Sequence, residues 1–202
     1  MKQRLIVAAI GVPLTLLAIL FLPARYFSVL IYVLSGLAIG ELIENAKSTK
    51  KLHFALISLI ILFGFICLAF YRERFGAVLT LLPFTCAYGG DAAAMHAGKW
   101  FGRKHPFPKI SPNKTEWGAI GGIIGTIICA APFYYFLGLN FIWIGALLGI
   151  TAEAGDLFFS LIKRKMNIKD YGNILPGHGG ILDRFDSMIF VAPVAFLLIN
   201  FI

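Results

Sequence analysis

Long apolar runs separated by short polar clusters extend along the whole chain. Apolar runs of roughly 18–20 residues are long enough to cross a bilayer as helices. The pattern predicts an all-α, polytopic integral membrane protein of about seven transmembrane helices. These lie near residues 5–22, 26–43, 52–71, 75–90, 117–137, 140–162 and 183–202. A β-barrel would need alternating polarity, whereas these runs are apolar on all faces. The fourth run is interrupted by Pro83 and by Gly89-Gly90, and the polar-flanked stretch to Phe101 reads as its continuation in a broken helix. The opening MKQRLIVAAIGVPLTLLAILFLP has the basic start and apolar run of a signal peptide. Its run is long and no small-residue cleavage site follows, so a retained first helix is expected.

Composition agrees with this pattern. Hydrophobic residues make up 59% of the chain and charged residues 14%. A soluble domain is nearer one half and one quarter. The net charge of +8 does not point to nucleic acid, because the basic residues flank membrane runs. There they serve topology, membrane lipids or an anionic substrate. With the N-terminus in the cytoplasm and seven crossings, only Arg25, Arg72 and Arg74 of the 18 basic residues fall outside. Both long polar loops, 99–116 and 163–182, then face the cytoplasm, where nucleotides are. Cys67, Cys86 and Cys129 lie in apolar runs with no metal-ligand spacing and read as small buried hydrophobes. The chain divides into N-terminal transmembrane helices, 1–88, and a region 89–202 that holds nearly all the polar chemistry.

That chemistry begins with acids. Glu153 and Asp156 are three residues apart at the end of the sixth run and share a helix face, which Ser160 and Lys163 continue. Asp183 and Asp186 repeat the spacing at the start of the seventh, and Asp91 follows Gly89-Gly90. Carboxylates near bilayer depth are expensive and pair with cations or face a polar cavity. Hard oxygen donors among lysines and arginines suggest Mg²⁺ with phosphate. For a single acid the plain alternative is an interfacial cap or ion-pair partner, and for Asp170 the two readings are even.

Pro176-Gly177-His178-Gly179-Gly180 leads into the seventh run. Glycines let backbone N–H groups approach an anion at a helix N-terminus. The alternative is a tight turn needing positive φ. His178 could be a proton donor, a phosphate ligand or a turn residue. In the other loop, Ser111-Pro112-Asn113-Lys114-Thr115 sets two hydroxyls around one lysine just before a helix, a plausible phosphate clamp. Gly118, Gly121, Gly122 and Gly125 read as helix-packing positions. His53, His96 and His105 read as interfacial.

The run Ser160–Asp186, SLIKRKMNIKDYGNILPGHGGILDRFD, resembles the signature of the phosphatidate cytidylyltransferases, also called CDP-diacylglycerol synthases. Gly155-Asp156-Leu157, Asp91, Phe101-Gly102 and Ile110–Thr115 are similar to that family's other motifs, and RLIVAAIGVPLTLLAI to its first helix. The resemblance covers 1–45 weakly and about 88–202 strongly. It implies that phosphatidic acid attacks the α-phosphorus of CTP, giving CDP-diacylglycerol and pyrophosphate in phospholipid biosynthesis. It also implies Mg²⁺, with room for a second, monovalent cation such as K⁺.

Carried onto this chain, the resemblance makes Asp156, Asp183 and Asp186 the metal ligands and, with Lys163, the catalytic set. Asp91, Ser111, Lys114, Thr115, Ser160, Arg164, Lys169, Asp170, Gly177, His178, Gly179, Gly180 and Arg184 would bind substrate. A bacterial inner membrane location, a cytoplasmic active site and a homodimer belong to the same expectation.

The chain departs from the family in three places. It is short, with fewer spans before Asp91. Asp91 is followed by Ala92-Ala93-Ala94-Met95, and Thr115-Glu116-Trp117-Gly118 carries its acid and aromatic in swapped order. These departures bear on the choice of lipid more than on the chemistry. Two other readings stand beside the main one: cytidylyl transfer to an isoprenoid-ether or polyprenyl phosphate, and an ion-coupled transporter.

Overall fold

The computed structural model describes residues 2–46, 51–175, 177 and 179–201, and the side chains from residue 9 onward. Its elements are α1 (Lys2–Phe21), α2 (Ala24–Asn45), α3 (Lys51–Phe101), α4 (Glu116–Ala130), α5 (Tyr134–Leu137), α6 (Phe141–Lys165) and α7 (Ile181–Asn200). Two single 3₁₀ turns, Ala131–Phe133 and Gly138–Asn140, flank α5. Among the described residues there is no strand, only an isolated bridge between Leu175 and Gly179.

The third and fourth apolar runs join into one element, and the boundary expected at residue 88 falls inside it. Inside α3, Gly76 has φ +78° and ψ −177°. That backbone region is open essentially to glycine alone, and it interrupts the helix. The contacts of α3 show how far the chain turns there. Phe65 packs on Phe185, with ring centroids 5.2 Å apart, and the Tyr88 hydroxyl donates to the carbonyl of Arg184 at 3.1 Å. Phe75 packs instead on Phe196, at 5.7 Å. Residues 65 and 88 thus lie level with the start of α7, while 75 lies near its other end. A straight helix would separate 65 from 88 by about 35 Å. The two halves of α3 therefore double back on one another at Gly76. The fifth run is also different from expectation. Its helix ends at Ala130, where Pro132 follows and the chain passes into 3₁₀ turns.

Small residues set the packing of α4 on the second half of α3. Gly121 faces Ala97, and Gly125 faces Ala93. A Cβ at Gly90 would sit 2.6 Å from Thr126 Cγ2. Without a hydrophobic drive between helices in lipid, such close approach supplies the dispersion contact that holds them. The outer surface is apolar, with Leu14, Phe63, Ile128 and Ile150 exposed. Three stretches, Ala24–Asn45, Lys51–Phe101 and Glu116–Lys165, are long and apolar enough to cross a membrane.

The polar segments collect at one end of the bundle. Arg164 Nε donates to the carbonyl of Ile110 at 3.1 Å, tying the two long loops together. Asn45, at the end of α2, donates to the carbonyl of Tyr171 at 2.7 Å. At the opposite end, Arg72 beside the Gly76 reversal donates to the carbonyl of Leu22, in the α1–α2 connection, at 3.0 Å.

Candidate active site

A cleft of about 610 Å³ opens at the polar end between α3, α4, α6 and α7. The helix N-terminus on one side explains part of its wall. Thr115 is the N-cap of α4, its backbone extended at φ −115° and ψ 159°, and its Oγ1 accepts from the Gly118 N–H at 3.0 Å. Capping fixes the preceding residues, and Lys114 is thereby aimed across the cleft at α6. Its Nζ lies 2.6 Å from Glu153 Oε2 and 2.7 Å from Asp156 Oδ2. Ser160 Oγ donates to the other oxygen of Asp156 at 3.4 Å. Burial alone would depress the Lys114 ammonium, but the two carboxylates outweigh it and hold its pKa above the ordinary lysine value. Lys114 is therefore a fixed positive charge at physiological pH.

The opposite wall is a second cluster. Lys163, on the α6 face that carries Asp156, donates to Asp183 Oδ1 at 3.0 Å, and its Nζ lies 3.7 Å from Asp186 Oδ2. Asp183 Oδ2 accepts two backbone N–H groups, from Tyr171 at 2.7 Å and Gly180 at 3.0 Å. Both oxygens of Asp183 are engaged, as befits an acid in the first turn of a helix. Asp186 is freer. Its Oδ1 accepts from the Ser187 N–H at 2.8 Å, while among the described residues Oδ2 has only the longer contact with Lys163. Tyr171 lies under this cluster, its hydroxyl donating to the carbonyl of Phe159 at 3.1 Å. Burial first, then Asp183 and Asp186, raise the Tyr171 phenol, so it stays neutral.

Of the residues expected at the site, Asp91, Ser111, Lys114, Thr115, Asp156, Lys163, Asp170, Asp183, Arg184 and Asp186 line this one cleft. Ser160 reaches it only through Asp156. Arg164 is turned to the carbonyls of Ile110 and Ile168, and Lys169 is exposed outside the lining. Among the described residues of the glycine segment, Gly177, Gly179 and Gly180 do not line the cleft. Gly177 and Gly179 adopt φ +75° and +83°, and Leu175 N–H donates to the carbonyl of Gly179 at 3.0 Å, closing a tight turn. Pro176 and His178 lie outside the described residues.

Four further contributors lie outside the set expected to bind metal or substrate. Glu153 shares Lys114 with Asp156, as its i, i+3 spacing allows. His105 and Asn113 line the cleft beside Lys114. Glu41, on α2 and 3% exposed, accepts the N–H groups of Ile181 and Leu182 at 2.8 and 2.9 Å. An acid at the end of an apolar run was its only signal in the sequence.

Among the described residues, no three His, Cys, Asp or Glu side chains converge into a cage that could hold a metal by itself. The donor chemistry still suits a hard divalent cation. Such an ion takes one or two carboxylates and completes its shell with water and substrate phosphate. Asp156 and Asp186 offer oxygens of that kind on facing walls of one cleft.

The sequence profile of the cytidylyltransferase family matches residues 46–202. A Rickettsia bellii protein named phosphatidate cytidylyltransferase is 39% identical over 209 residues, spanning 96% of this chain and 89% of that protein. The Bacillus subtilis protein of the same name is 36% identical over 179 residues, spanning 83% of this chain and 65% of its own. One from Staphylococcus aureus is 43% identical over 138 residues, 64% of this chain and 52% of its own. With acids and lysines of the matched region gathered on one cleft of a helical bundle, the chain belongs to the cytidylyltransferase family.

Proposed function

We propose that this protein transfers the cytidylyl group of CTP to phosphatidic acid, giving CDP-diacylglycerol and pyrophosphate. The observation that carries the reading is the union of both polar loops in one cleft, with Lys114 and Lys163 each set between two carboxylates. The relatives named phosphatidate cytidylyltransferase, matched over most of this chain, support it.

A lipid phosphate oxygen forms a bond to the α-phosphorus of CTP, and the bond from that phosphorus to the β-phosphate bridging oxygen breaks. The lipid phosphate is itself the nucleophile, so no activated side chain is needed. Positioning and charge neutralisation supply most of the rate. Lys114, with Ser111 beside it, would bind phosphate oxygens by exchanging part of its ion pair with Glu153 and Asp156. Lys163 would do the same on the other wall.

Asp156 and Asp186 would hold Mg²⁺, and Asp183 would join only through Oδ1 with Lys163 displaced. When bound, that ion would neutralise charge building on the phosphates. We read the bundle as seven crossings with the N-terminus and the cleft on the cytoplasmic side of a bacterial inner membrane, in line with its basic loops.

The test is direct. Purified protein with Mg²⁺, CTP and phosphatidic acid should make CDP-diacylglycerol and pyrophosphate, and neither should form in EDTA. A panel of isoprenoid-ether and polyprenyl phosphates, run with and without K⁺, fixes the lipid class. Absence of both products with phosphatidic acid overturns the proposal.

A further inference from the structure

The N-terminus of α7 has the features of an anion site: glycine approach, free N–H groups and the positive end of a helix dipole. In this fold the anion is already supplied by the chain. Glu41 crosses from α2 and places one carboxylate oxygen on the Ile181 N–H, at 2.8 Å, and the other on the Leu182 N–H, at 2.9 Å. Two glycines allow this approach. A Cβ at Gly172 would sit 2.5 Å from Glu41 Oε1, and one at Gly180 would collide with the same carboxylate. Asn45, one turn on, binds the carbonyls of both Glu41 and Tyr171, at 2.8 and 2.7 Å. The Tyr171 N–H in turn holds Asp183. The end of α2 thus holds both the loop and the helix that carry the second acid–lysine wall. Glu41 lies before residue 46, where the family match begins.

We propose that Glu41 is a positioning residue: it fixes the first turn of α7, and through it Asp183 and Asp186, against α6. Gly172 and Gly180 serve this internal clamp by leaving room for the Glu41 carboxylate. The activity arm of the test rests on the function proposed above; the exchange arm does not.

Hydrogen exchange of the full-length protein, read by mass spectrometry over residues 180–186, compares wild type with Glu41→Ala and Glu41→Gln. We expect exchange at least tenfold faster in Glu41→Ala, an intermediate effect in Glu41→Gln, which keeps one acceptor, and no change in α6. Unchanged exchange over 180–186 overturns the proposal. In the activity assay, the Mg²⁺ concentration giving half-maximal rate should rise at least fivefold in Glu41→Ala and less in Glu41→Gln. A mere loss of folded protein would lower the rate and leave that concentration where it was, and that result also overturns the positioning role.

Gly172→Ala completes a cycle. It should speed exchange at the start of α7 in wild type and add nothing in Glu41→Ala. An equal effect in both backgrounds counts against the clamp. Should Glu41→Ala not fold, Glu41→Gln and Gly172→Ala carry the same comparison. A wild type that makes no CDP-diacylglycerol would sink the proposed function while the exchange data still decide Glu41.

Discussion

The cleft has two walls of the same composition, one lysine and two acids each, and they are built differently. On the first, Lys114 meets Glu153 and Asp156 through side chains alone, and Asp156 is 32% exposed at its side chain. On the second, the Asp183 side chain is 2% exposed and tied to two backbone N–H groups as well as to Lys163. Ion pairs made only by side chains can exchange partners when a phosphate arrives. An acid that also holds the backbone cannot leave without loosening a helix. Equal spacing in the sequence therefore conceals a division between a wall that can open and a wall that is held.

The strongest test of this division is removal of the freer acids. Asp156→Ala and Asp186→Ala should each lower turnover by about 10³-fold, the scale of losing a principal electrostatic contact, with the protein still folded. Near-normal activity in either would refute their place at the metal and the phosphates. Asp183→Ala should differ in kind. It leaves Lys163 buried without its closest partner and two N–H groups without an acceptor, so stability should fall by about 3 kcal/mol. Thermal unfolding in detergent would show this as an early transition that Asp156→Ala, on the other wall, lacks. If the two variants melt alike, the walls are not divided as described.

Lys114→Met should raise the KM for CTP by roughly 10-fold, the equivalent of one charge-assisted hydrogen bond, with a smaller change in kcat. The smallest effect tests the first wall's ability to open. Glu153→Gln removes one of the two charges competing with phosphate for Lys114. It should lower the KM for CTP by about threefold, roughly 0.7 kcal/mol. A rise in KM would mean that Glu153 aims Lys114 instead of restraining it.

Much of this was legible in the sequence because bilayer crossing imposes long apolar runs, and charged loops stand out between them. The i, i+3 pairs placed Asp156 with Glu153 and Asp183 with Asp186 on the correct helix faces. What the spacing did not carry was the role of the loop backbone. Whether Asp183 faces a metal or the Tyr171 N–H depends on a turn whose path no periodicity describes. The glycines at 177 and 179 admit two readings, since a positive-φ turn and an anion loop use the same residue type. Glu41 was illegible because its partners, Ile181 and Leu182, are 140 and 141 residues away in the chain. The short length, a departure from the pattern expected of the family, is shared with the Rickettsia bellii relative, 89% of which this chain spans.

The reversal at Gly76 has a consequence for assembly of the bundle. Uninterrupted, the 51 residues of α3 would make a rod of about 75 Å, more than twice the roughly 30 Å hydrocarbon thickness. Doubled back, they form a helical hairpin whose two ends return to the same end of the bundle, so everything after Phe101 takes its place from a single glycine. No neighbouring atom lies within 4 Å of a Cβ added there, so a Gly76→Ala chain would meet no clash, only a strained backbone. Such a chain would put the second half of the molecule at risk of losing its place against the first, although each residue of the cleft is intact.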